Sequence, residues 1–144
     1  MALKHHSLVV WQRADDFFIA VHRVTHQDFP NAEKYELGSQ IRKSAYSIPS
    51  NIVEGIARET LRDTLRFLNF ASASLSETGY GLHAAHRLGY LSDSVYAALE
   101  SQLNGVGAPL HGLIRTNRRK LALKASANAT LLALSALHVV GWLS

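Results

Sequence analysis

The chain has 144 residues, 47% hydrophobic and 18% charged, which suffices for one domain with a substantial core but not for two ordinary domains. It contains no cysteine, which excludes disulfide frameworks, thiolate metal sites and cysteine nucleophiles and agrees with an expected cytoplasmic location. The net charge of +4 is uneven: residues 1–100 carry −1 and residues 101–144 carry +5, because no acidic residue follows Glu100.

The first two predicted helices are amphipathic. Over about 7–26, apolar residues recur at steps of three and four, the period of a helix that buries one face. A loop is expected around Pro30, where this pattern breaks. The second helix is expected over about 32–58, with a kink at Pro49, because its apolar positions continue past the proline.

The third and fourth predicted helices carry recognisable ends. Thr60 and Asp63 form a capping box at the start of a helix over about 60–88, and Gly89 is placed to end it. Its expected heptad seam is Leu61, Leu65, Leu68, Ser72, Leu75, Gly79, Leu82 and His86. Ser92 caps a fourth helix over about 92–120. Four such helices with short connections predict an all-α fold, an antiparallel up-down-up-down four-helix bundle over 1–120.

Residues 121–144 form a tail of different character. An apolar run follows the basic residues, and the sequence favours a fifth helix packed on the bundle or on another subunit. The run over 129–144 is shorter than the about 20 residues that a membrane-spanning helix needs. A tail anchor is therefore the less favoured alternative, and a membrane is not an expected partner. The apolar run Leu8–Val10 is too short for a signal peptide.

No motif with a catalytic mechanism is present. The chain lacks a nucleophile elbow, a P-loop, a dinucleotide-binding glycine motif and the His-Glu-x-x-His zinc motif. It also lacks Glu-x-x-His and any arginine followed four to six residues later by histidine, which helical ribonucleases of toxin systems carry. Two histidine pairs have helical spacing, His22 with His26 and His83 with His86, but nothing supplies a third metal ligand. We therefore expect no catalytic residue, metal or cofactor.

Two sets of polar residues are candidate contact surfaces. The basic residues are either solvated charges near a helix end, which is the favoured interpretation, or a contact surface for nucleic acid. This set is Arg115, Arg118, Arg119 and Lys120, with Arg42, Lys43, Arg62 and Arg66. A polar line on the second helix indicates either a solvated face or a seam with another helix or subunit. It comprises Gln40, Ser44, Ser47, Asn51, Glu54 and Arg58, of which Glu54 and Arg58 suit an i,i+4 ion pair.

Several strings of residues resemble one bacterial family of four-helix bundles, whose founding members are encoded in intervening sequences of 23S ribosomal RNA genes. The most specific string is Ser47-Ile48-Pro49-Ser50-Asn51-Ile52-Val53-Glu54-Gly55. Weaker matches are Val10–Ala14, Phe29-Pro30, Glu33-x-Tyr35-x-Leu37-x-x-Gln40, Arg58, Phe67-Leu68, Ala73-Ser74-Leu75-x-Glu77 and Leu88–Leu91. The resemblance covers about residues 8–118, and the family is similar to the accessory proteins of diversity-generating retroelements.

The resemblance implies an antiparallel four-helix bundle that assembles into a ring, typically a pentamer, without established enzymatic activity. In the retroelement relatives, the basic surface of the ring binds a reverse transcriptase and nucleic acid. The expected function is thus that of a non-catalytic, self-assembling interaction module, with a homopentamer favoured. The alternative is an accessory protein that binds nucleic acid or a reverse transcriptase through its basic C-terminal surface.

Overall fold

The computed structural model describes residues 4–141 of the chain and the side chains of residues 5–136. A short 3₁₀ helix, Lys4–Ser7, precedes α1 (Val9–Gln27), α2 (Leu37–Ile56), α3 (Leu61–Arg87) and α4 (Asp93–Gly141). Residues 4–141 contain no strand, so the predicted all-α class is confirmed. Residues 142–144 of the predicted tail lie outside the described part of the chain.

The four helices share one hydrophobic core. Both α2 and α4 pack against α1 and α3, whereas α1 and α3 do not contact each other within the described residues. The core lies where the apolar faces meet, and its largest fully buried side chains include Phe17, Val21, Ile41, Ile48, Ile52, Leu68, Leu82, Val106 and Leu110. The connection between α1 and α2 adds Phe29, which is buried and lies 5.7 Å from the Tyr90 ring. The predicted apolar stripes therefore face a common interior.

Both ends of α3 follow their predicted local chemistry. The Thr60 hydroxyl accepts a hydrogen bond from the Asp63 backbone N–H at 3.1 Å and so satisfies one of the unpaired donors of the first turn. At the other end, Gly89 has φ of +78°, where a side chain would be strained. The backbone N–H groups of Gly89 and Tyr90 donate to the carbonyls of His86 and Ala85, a Schellman closure.

The first two helices begin later than the sequence indicates. The N-cap of α1 is Leu8 and that of α2 is Glu36, so the predicted starts near residues 7 and 32 move to 9 and 37. Residues 31–36 form turns instead, and the N–H of Gly38, in the first turn of α2, donates back to the Glu33 carbonyl at 2.8 Å. A Cβ at position 38 would lie 3.0 Å from that carbonyl oxygen, so glycine permits the close approach. These turns place Phe29 in the core.

The buried face of α3 differs from the predicted seam by one residue at alternate positions. Leu68, Leu75 and Leu82 are buried as expected, but Ala71, Thr78 and Ala85 are buried in place of Ser72, Gly79 and His86. The reason is that α3 contacts two neighbours. Thr78 bonds to α2, whereas Ser72 and Gly79 lie against α4. The single heptad seam read from the sequence combines positions that face different helices.

The tail continues α4 and does not form a separate helix. Residues 121–140 contain neither glycine nor proline and are rich in alanine and leucine, so nothing interrupts the backbone hydrogen bonding. From 122 to 136 every side chain is exposed, so the predicted packing on the bundle is wrong for these residues, whereas packing on another subunit stays a prediction. No helix within residues 4–141 is both long and apolar enough to cross a bilayer.

Candidate functional site

An arginine- and phenylalanine-rich surface lies where the beginning of α3 meets the middle of α4. The Arg58 guanidinium lies 4.6 Å from the centre of the Phe67 ring, and that of Arg66 lies 5.4 Å from Phe67 and 5.8 Å from Phe70. The two phenylalanine rings meet edge to face at 5.8 Å, and Phe70 remains 47% exposed. Such stacking holds each guanidinium over an aromatic ring while the outer edge of the guanidinium stays in water.

α4 brings two further arginines to this surface. Arg118 donates to the Asn69 side-chain oxygen at 3.4 Å, and His111 and Ser72 are in hydrogen-bond contact at 3.2 Å. A shallow depression between these side chains is also lined by Arg115. We call the set Arg58, Arg62, Arg66, Phe67, Phe70, Arg115 and Arg118 the arginine surface. Arg62 belongs to it because it lies one turn before Arg66 on the same face of α3 and is exposed.

The remaining basic candidates lie elsewhere. Arg42 donates to the Thr25 hydroxyl at 3.1 Å and to the Lys34 carbonyl at 2.7 Å, so its guanidinium joins α1, α2 and their connection. Gly55 of α2 faces the Thr64 backbone near the start of α3. Arg42 and Lys43 lie 12 to 13 residues before Gly55, about 18–20 Å along α2, and are therefore far from the arginine surface. Arg119 and Lys120 are exposed on α4, but Lys120 points about 200° around the helix from Arg118.

Most of the predicted polar line on α2 is satisfied within α2 itself. Ser47 donates to the Lys43 carbonyl at 2.9 Å, and Asn51 to the Ser47 carbonyl at 2.7 Å. The predicted Glu54–Arg58 ion pair is present, and Gln40 is exposed.

Ser44 is the member of the line that bonds to another helix. Its hydroxyl is buried, accepts from the Thr78 hydroxyl of α3 at 2.8 Å and donates to the Ile41 carbonyl. The sequence indicated Ser44 but not Thr78, because the heptad seam assigned to α3 omitted position 78. Within the line, Ser44 therefore forms a hydrogen-bonded seam with α3, and Arg58 contacts α3 through the Phe67 ring.

The histidines and carboxylates do not converge. Partial desolvation, followed by the neighbouring His26 and Arg42, lowers the pKa of His22, whose ring lies 4.5 Å from His26. Within the described residues no three histidine, aspartate or glutamate side chains are grouped as metal ligands would be. His86 instead contacts Asp93 at 2.7 Å and stacks on Tyr96 at 4.4 Å, which ties α3 to the start of α4.

The interior offers no polar group to a ligand. Every buried side-chain nitrogen and oxygen in the described part of the chain has a hydrogen-bond partner. A groove between α3 and α4 contains Tyr96 and Glu100, whose side chains form a hydrogen bond at 3.3 Å. Partial desolvation and then the Glu100 carboxylate raise the pKa of Tyr96, which makes this phenol a weaker acid. The groups capable of binding a partner are thus on the outer surface.

Comparison with known proteins gives the same fold. The family model of the 23S rRNA-intervening sequence protein matches residues 6–112. A solved structure of a protein of unknown function, from the S23 ribosomal protein family of Bacteroides thetaiotaomicron, is similar with a TM-score of 0.69 and 23% sequence identity. The likeness covers 74% of this chain and 98% of that one. No curated protein matches the sequence.

Proposed function

The chain belongs to the 23S rRNA-intervening sequence protein family, and from that premise we propose that it is a non-catalytic interaction module that assembles with copies of itself in the cytoplasm. A closed ring is the proposed assembly, with five copies favoured. The proposal also includes an up-down-up-down antiparallel bundle as the protomer.

Cross-helix contacts support the antiparallel arrangement. Along α2 and α3, position 41 lies against 81 and position 55 against 64, so the sequence numbers run in opposite directions. Along α3 and α4, Gly79 lies against Leu103, and Asn69 bonds to Arg118. Sequence neighbours with short connections and opposed numbering are typical of up-down bundles.

Two separate apolar patches carry the proposal of self-assembly. The first, on the outer face of α3 and its C-cap, contains Tyr80, 73% exposed, and Leu88, 59% exposed, with His83 and Arg87 at its side. The second lies across α1 and α2, where Ile19 is exposed and Tyr46, 59% exposed, packs edge to face on Phe18. Because α1 and α3 do not touch, the patches face different directions. Two unlike patches suit a head-to-tail contact, and head-to-tail contacts generate rings when the rotation closes.

Light scattering on a sizing column tests the assembly. We expect one species of about 79 kDa, five times the 15.8 kDa mass of the chain, at micromolar concentration. Tyr80→Glu with Leu88→Glu should dissociate it, because burying unpaired carboxylates at an apolar contact is unfavourable.

Ala98→Glu with Gln102→Glu is the matched control. It adds the same charge at exposed positions of α4, which carries neither patch, and should leave the assembly intact. A wild-type monomer of 15.8 kDa would exclude the proposal.

The arginine surface favours a second candidate function, that of an accessory protein for nucleic acid. Arg66 lies over the exposed Phe70 ring, and Arg115 and Arg118 line a depression with Asn69, the residue before Phe70. Guanidinium groups with accessible aromatic rings are suited to phosphates and unstacked bases. A ring would repeat this surface and raise the local field. A reverse transcriptase is the protein partner that the sequence resemblance suggests for the same surface.

Fluorescence anisotropy with a labelled single-stranded RNA tests this second function. Binding should weaken steeply with salt, and Arg115→Ala with Arg118→Ala should reduce the slope of log K against log salt by about 1.4, at about 0.7 per lost phosphate contact on a single strand. Arg23→Ala, which removes an exposed arginine on α1 away from this surface, is the control for a change in overall charge. Undetectable binding at low salt would exclude this function.

A further inference from the structure

The last described part of α4 has no partner within its own chain. We call residues 122–136 the tail helix. All of its side chains are exposed, including Leu123 at 70%, Leu131 at 65%, Leu132 at 70% and Leu134 at 58%. Helical segments of this length are marginal in water unless an apolar face is packed. The tail helix therefore presents leucines that another surface has to cover.

The apolar side chains form two stripes on opposite sides of this helix. At about 100° per residue, Leu123, Ala127, Leu131 and Leu134 fall within a sector of about 80°, the first stripe. Ala122, Ala125, Ala129, Leu132, Ala133 and Ala136 fall within a sector of about 100° on the opposite side, the second stripe. One adjacent helix covers one stripe, so burial of both requires two neighbours.

The composition of the tail helix identifies its neighbours as further tail helices. Residues 125–136 contain no lysine, arginine, aspartate or glutamate, so they offer nothing to a charged partner and do not repel an identical segment. The first stripe is mostly leucine and the second mostly alanine, which lets a large side chain of one helix pack over a small one of the next. The described helix is not apolar enough to span a bilayer, and its polar Asn128 and Ser135 are better tolerated between helices than in lipid.

The size of the tail helix indicates that its contact acts within a larger assembly. A standard interface uses about 20–30 residues on each side, more than the 15 available here. Copies already held together through their cores would, however, present their tails to one another at high effective concentration. The contact therefore rests on the proposed self-assembly, which it extends.

We propose that each tail helix packs between the tail helices of two neighbouring copies, with the first stripe of one against the second stripe of the next. The contact is head-to-tail, so it can repeat from one copy to the next. The segment that lies beyond residues 6–112, the part matched by the family model, thereby acts as an additional clasp on the assembly.

Crosslinking between singly substituted chains tests the stripes directly, because the chain has no cysteine of its own. Ala127→Cys marks the first stripe and Ala125→Cys the second. After subunit exchange, a short bis-maleimide should link a mixture of the two variants and neither variant alone. Ser126→Cys, which lies between the stripes, is the matched control and should not link to Ala127→Cys.

The outcomes separate this inference from the proposed function. An assembly of about 79 kDa whose mixed variants do not crosslink would overturn the tail contact and leave self-assembly standing. If Ala127→Cys alone crosslinks as well as the mixture does, the stripe-to-stripe arrangement is overturned. A wild-type monomer would overturn both proposals. Flotation of a monomer with phosphatidylglycerol vesicles, abolished by Leu131→Lys with Leu134→Lys, would identify lipid as the occupant instead.

Discussion

At the scale of single residues, contacts between α2 and α3 are set by small side chains. Gly81 lies so close to Ile41 that a Cβ at position 81 would be 2.6 Å from the isoleucine Cγ1. Gly105 of α4, by contrast, has nothing within 4 Å of its Cβ position. The two glycines therefore have opposite relations to their surroundings, although both lie inside helices.

Alanine at these two positions should have effects of opposite sign. Gly81→Ala forces the fully buried Ile41 to move and should lower the free energy of unfolding by about 1–3 kcal/mol. Gly105→Ala meets open space and should raise it by about 0.5–1 kcal/mol, because it removes a flexible residue from a helix. Urea denaturation measures both, and equal effects would show that packing at Gly81 is not tight.

The buried hydroxyl pair between α2 and α3 should couple energetically. Thr78→Val keeps the side-chain shape but removes the donor to Ser44, and Ser44→Ala removes the acceptor. A double-mutant cycle read by urea denaturation should give a coupling of about 0.5–1.5 kcal/mol. Thr116→Val, at an exposed threonine of α4 outside the tail helix, is the control and should change stability by less than about 0.5 kcal/mol. If the two single substitutions have additive effects on the free energy of unfolding, the hydrogen bond between the two hydroxyls contributes nothing to stability.

At the scale of elements, helix ends determine where α3 begins and stops. Thr60→Ala removes the acceptor for the Asp63 N–H and should destabilise the protein by about 1 kcal/mol, whereas Thr60→Ser should keep most of the cap. Thermal unfolding followed by circular dichroism compares the two variants. Equal melting temperatures for the alanine and serine variants would contradict a capping role.

At the scale of the whole molecule, the core ends before α4 does. Among the side chains that the structure describes, Leu121 is the last half-buried one of α4, and exposure is continuous from 122 to 136. Amide hydrogen exchange should therefore be slow over the core-packed part of α4. In the tail helix, exchange should slow as protein concentration rises, because association stabilises a segment that has no contacts in the monomer.

The same exchange measurement provides its own control. Leu131→Lys with Leu134→Lys should leave the tail helix in fast exchange at every concentration, while the core retains its protection. Protection of the tail that does not vary with dilution to the monomer would contradict the proposed contact between copies.

The sequence by itself determined the local features of this protein. These features are the helical period, the N-cap of α3 formed by Thr60 with Asp63, and the end of α3 at Gly89 with its positive φ. Each depends on atoms within about one or two helical turns of each other, so nearby residues specify it. The apolar stripes of α1 and α2 followed from the same short-range pattern. The strength of the family resemblance likewise came from one continuous string, Ser47–Gly55.

Only the tertiary structure decided which surfaces meet. Asn69 and Arg118 are 49 residues apart, and their contact depends on how α3 and α4 pack rather than on either local sequence. Packing also divided the α3 positions between two neighbours and kept Arg42 away from the arginine surface. The tail was misread for the same reason: its residues specify a helix, but whether that helix folds back or continues α4 depends on contacts that period and propensity do not encode.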